Sequence, residues 1–88
     1  MEYSEQIAQL ETDIQGLRDV QLQLSEEITS LEVQTKNPEI SAEELEQMNA
    51  VLRAKQNTLE EALVKEGRAQ NLLADLRWQE AKAANFIY

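Results

Sequence analysis

Branched apolar residues recur at alternating spacings of three and four along the first third of the chain. The row runs Ile7, Leu10, Ile14, Leu17, Leu24, Ile28 and Leu31, with Gln21 the only polar residue on it. A strand repeats every two residues, and a lone surface helix drifts off a 3.5-residue period. The row therefore predicts a helix gripped by another helix. The pattern stops at Lys36-Asn37-Pro38-Glu39-Ile40-Ser41. Proline disfavours helix at Asn37, and asparagine tolerates the left-handed conformation that ends many helices. Restart signals follow at once. Ser41 is placed to cap a new helix, Glu44 completes a capping box, and Ile40 and Leu45 hold the two positions of a hydrophobic staple. Glu43 and Glu44 put negative charge on the first turn, where the helix dipole favours it.

These signals predict helix 1 from about Ser4 to Thr35, a turn over 36–41, and helix 2 from about Ala42 to Ala84. So short a connection forces the helices antiparallel. The expected fold is all-α: one domain over residues 1–88, an antiparallel two-helix coiled-coil hairpin, packing in turn into a larger helical bundle or assembly. Reflection about residue 38 sets Leu31 near Leu45 and Ile7 near residues 67–69. Helix 2 offers Leu45, Met48, Leu52, Leu59, either Ala62 or Leu63, then Ala69, Leu73 and Leu76. A strict heptad line through it carries Lys55, Glu66 and Glu80. The pairs Met48–Leu59 and Leu52–Leu63 are instead eleven apart, a period that straightens a helix. Arg53, Lys65 and Arg68 are the bases expected beside an acidic helix 1. Gly16 and Gly67 lie inside predicted helices and mark either close approach of a neighbouring backbone or tolerated surface positions.

On that reflection helix 1 covers helix 2 only to about residue 73, leaving some 15 residues and roughly 22 Å of overhang. The overhang is apolar. Leu72, Leu73, Leu76, Trp78, Phe86, Ile87 and Tyr88 lie in or just before it, and it holds every aromatic except Tyr3. Buried aromatics carry much of the energy of an interface, and an exposed apolar end marks a contact site. These seven residues are the expected partner-binding set. Off-seam Val20, Leu22, Val33, Val51 and Leu72 offer a second contact face.

Composition narrows the functional classes. The chain has 88 residues, a net charge of −9, two glycines, one proline, no cysteine and no histidine. Residues 1–47 carry twelve acids against Arg18 and Lys36, whereas residues 48–88 carry five acids against six bases. Direct nucleic-acid binding is disfavoured, because neutralising phosphate needs a basic footprint. No apolar run is long enough to span a membrane, and the acidic start is unlike a signal peptide. The expected location is cytoplasmic or within a macromolecular assembly such as a virion. Without histidine or cysteine there is no imidazole base, thiol nucleophile or ordinary zinc site. The doublets Glu26-Glu27, Glu43-Glu44 and Glu60-Glu61 do not share a helix face. No catalytic residue, metal or cofactor is expected.

Two functional classes follow. The first is a non-catalytic structural or assembly protein that forms homo-oligomers or docks on a larger complex through its C-terminal end. Phage structural proteins and secretion-apparatus subunits or chaperones include small acidic hairpins of this kind. The Asn37-Pro38 turn between two helices resembles the layout of type III secretion needle subunits, a likeness that covers that dipeptide and the two-helix arrangement; the strongly acidic first helix departs from it. The second is an acidic inhibitor of phage type that occupies the nucleic-acid groove of a basic enzyme, motivated by the acidic first half.

Overall fold

The two heptad rows close on each other as two long helices, α1 (Tyr3–Thr35) and α2 (Ala42–Asn85), with no strand among the described residues. A computed structural model describes residues 3–85. The helices lie antiparallel along a rod of 72 × 15 × 14 Å. Its radius of gyration is 20.1 Å, against about 12 Å for a compact chain of this length.

The turn forms largely as its residues dictate. At the end of α1 the Lys36 and Asn37 amides donate to the Val33 and Gln34 carbonyls at 3.2 and 3.1 Å, a tightened last turn. The Thr35 hydroxyl donates to the Glu32 carbonyl at 2.7 Å. Asn37 Oδ1 accepts from the Glu39 amide at 3.0 Å, so the asparagine builds the turn through its side chain. No described residue has positive φ, and the left-handed helix ending expected at Asn37 is not used. Ser41 Oγ caps α2 by accepting from the Glu44 amide at 3.1 Å. Ile40 and Leu45 are both half-buried.

The core is a single seam. Ile14, Ile28, Ala62, Leu73 and Leu76 are buried, and no side chain is wholly enclosed. Ile7, Leu10, Leu17, Leu24 and Leu31 of α1, with Leu45, Met48, Leu52 and Leu59 of α2, are half-buried along the same line. Two sequence expectations change here. Leu63 is exposed and Ala62 buried, so α2 follows the strict heptad line 45, 48, 52, 55, 59, 62, 66, 69, 73, 76 and the eleven-residue pairing is not adopted. Lys55 and Glu66 on that line are half-buried because α1 supplies each with a polar partner. The second change concerns register. The interhelix pairs Arg18–Glu66, Glu27–Lys55 and Glu11–Arg77 mirror about residues 41–44 rather than 38. The turn and the start of α2 are used up in crossing between the helices, which slides α1 further along α2. These pairs also use Arg18, Lys55 and Arg77 in place of the expected Arg53, Lys65 and Arg68.

A Cβ added at Gly16 or Gly67 would meet nothing within 4 Å. Both are surface positions, and neither serves a close helix approach.

Candidate functional site

The register places two residues of the expected docking end, Leu73 and Leu76, in the seam. Arg77 Nη2 donates to Glu11 Oε2 at 3.0 Å, so α1 still covers α2 well past residue 73. Tyr3 lines one shallow groove with Trp78, Gln79, Lys82 and Ala83. The expected overhang is therefore paired with α1 through Arg77, and Tyr3 reaches the stretch from Trp78 to Ala83. Leu72 and Trp78 remain open; Trp78 is 63% exposed, with Lys82 Nζ 4.9 Å from its ring centroid. That is cation–π range. Phe86, Ile87 and Tyr88 lie outside the described residues.

The exposed apolar residues sort by their place relative to the seam. Val20, Val51 and Leu72 each directly precede a seam residue (Gln21, Leu52 and Leu73). In an antiparallel pair such positions from both helices border the same side of the seam. Glu27 and Lys55, bonded at 2.7 Å, mark that side. The opposite side carries the residues that directly follow a seam residue, among them Glu11, Arg18, Leu63, Gln70 and Arg77. Glu11, Arg18, Gln70 and Arg77 line one groove together with Ile14 and Leu73. Leu22, Val33, Val64 and Trp78 sit farther out and are more than half exposed. Spacing alone singled out Val20, Leu22, Val33, Val51 and Leu72; Leu63 was missed because it was counted in the seam.

Charge is organised around one half-buried carboxylate, that of Glu66. Gln21 Nε2 donates to Glu66 Oε1 at 2.7 Å, Arg18 Nε reaches Oε2 at 3.2 Å, and Gln70 Nε2 donates to Oε2 from the next turn. Gln21 thus does not interrupt the seam; it completes a polar layer with Glu66. The Gln21 hydrogen bond first, then Arg18, hold the Glu66 carboxyl below its ordinary value near 4.5, against the opposing effect of burial. Lys55 does the same for Glu27.

Among the described residues no three His, Cys, Asp or Glu side chains are grouped to hold a metal ion. No helix there is long and apolar enough to cross a membrane. Comparison of the chain with family models, with curated proteins and with solved structures finds no match.

Proposed function

We propose that the chain is a non-catalytic structural or assembly module, a helical hairpin that works by receiving further helices along its sides. The observation that supports this is surface area. The hairpin exposes 6743 Å², whereas a compact monomer of its 10.1 kDa would expose about 5,300 Å². The surplus, roughly 1,400 Å², exceeds the ~800 Å² each partner contributes to a standard interface. It includes eight large exposed hydrophobic residues spread over the rod. Leu72 and Trp78 keep the C-terminal end in the contact surface, and the flanks add to it.

The test is native mass by sedimentation equilibrium over a range of concentration and salt. The expected result is a mass above that of one chain, or a complex with another helical protein, held or tightened by added salt. A chain that stays monomeric, and binds only a basic enzyme in a complex dissolved by salt, would overturn the assembly reading in favour of the acidic inhibitor.

A further inference from the structure

The flank bearing Val20, Val51 and Leu72 has a symmetry of its own. Val51 and Leu72 stand about 31 Å apart on α2 at 1.5 Å per residue, and their midpoint falls at residues 61–62. The Arg18–Glu66 pairing sets Val20 of α1 level with residue 64 of α2, within one helical turn of that midpoint. The midpoint of α2 itself lies at residues 63–64. A two-fold axis through this point, perpendicular to the rod, superposes a second antiparallel rod over nearly its whole length.

We propose that this flank packs on the same flank of a second copy, antiparallel, giving a two-fold four-helix arrangement. The inference rests on the helix-packing reading above and names its partner. An axis so placed stacks α2 on α2 and α1 on α1. Leu72 then meets the second copy's Val51 and Val51 its Leu72, while the two Val20 residues stand on either side of the axis, about 7.5 Å apart along the rod. Lys65 falls opposite Thr58, and Glu44 opposite Gln79. A parallel dimer fits worse. It would stack α1 on α2 at equal height, and the flank residues nearest in height would be Lys65 to Val20, Asp13 to Leu72 and Gln34 to Val51. The three apolar residues, 45%, 45% and 51% exposed, would each stand nearest a polar or charged group. Area also suffices, since a face of 72 × 15 Å offers about 1,000 Å² per copy against the ~800 Å² of a standard interface.

The chain has no cysteine, so pairings can be read by disulfide trapping of single-cysteine variants of the full chain. A mixture of Val51→Cys and Leu72→Cys should yield the mixed dimer, with little from either variant alone. Val51→Lys with Leu72→Lys should raise the dimer dissociation constant by about tenfold or more, whereas Leu22→Lys on the far side should change it less than about threefold. Unchanged helix content by circular dichroism confirms that the lysine variants keep the hairpin. Efficient trapping of Val51→Cys with itself, or dissociation by Leu63→Lys instead, overturns the proposal and leaves the helix-packing reading standing. A chain monomeric to about 1 mM overturns the proposal outright, and the helix-packing reading falls with it only if no helical protein partner is found.

Discussion

Ile14→Ala tests whether the seam is an enclosed core or an open contact line. Ile14 is 5% exposed, which in a closed core would predict a loss of up to about 5 kcal/mol, part of it from the cavity left behind. Here the groove lined by Glu11, Ile14, Gln15, Arg18, Gln70, Leu73, Ala74 and Arg77 opens beside it. Space vacated by the side chain is open to water or to the stems of Arg18 and Arg77, so no dry cavity persists. What remains is the transfer of three carbons, at about 0.8 kcal/mol each, or roughly 2.4 kcal/mol. For a domain of this size that loss lowers the melting temperature by about 10–20 °C. Urea and thermal unfolding followed by circular dichroism at one fixed chain concentration measure it, with Leu22→Ala as the surface control. A loss near 5 kcal/mol would show that the seam is sealed. A loss no larger than that of Leu22→Ala, expected within about 0.5 kcal/mol, would show that Ile14 is not in the seam at all.

Gly16→Ala and Gly67→Ala should each stabilise the hairpin by about 1 kcal/mol, because helix propensity improves and the added methyl meets nothing; a loss in the same unfolding assay would reveal a hidden close approach. Ser41→Ala should cost about 1 kcal/mol by removing the cap of α2, and Ser41→Asp should restore it. In carboxyl-detected titration by NMR, Glu27 and Glu66 should protonate below the ordinary glutamate value near 4.5. Since folding lowers their values, their contribution to stability is complete above about pH 4.5 and is lost as pH falls through the lowered values. Lys55→Met should return Glu27, and not Glu66, toward the ordinary range; equal shifts in both would refute the separate pairings. Trp78 emission should match an exposed indole in the isolated hairpin, and a strongly blue-shifted spectrum at high dilution would contradict its 63% exposure.

The two helices, the turn over 36–41 and the seam of α1 were legible in the sequence, because period, proline and cap act locally. The register was not. Reading α2 alone, Lys55 and Glu66 look like faults in a heptad, and Leu63 looks like the better seam residue than Ala62. Only the facing helix shows that Glu66 has Gln21 and that Lys55 has Glu27. Gln21 and Glu66 each stood out as a polar break in an apolar row; matching the two would have shifted the mirror point and extended the cover of α1 past residue 73. The surface flank was partly legible, since off-seam apolar residues can be picked out by spacing. Which of them share a side depends on that same register.

A heptad row has a weakness as a structural code, because seven residues further on it looks the same. Two rows that are apolar throughout can be displaced by one repeat, about 10 Å, and still bury leucine on isoleucine. In this hairpin such a step would set Glu66 against Ile14 or Ile28, and Gln21 against Leu59 or Leu73, taking Gln21 and Arg18 away from a carboxylate turned toward hydrocarbon. The polar layer therefore serves as an index mark. Its two residues sit inside the hairpin, yet they decide the height at which Val20 stands beside α2, and so whether two rods brought side by side find their apolar residues aligned.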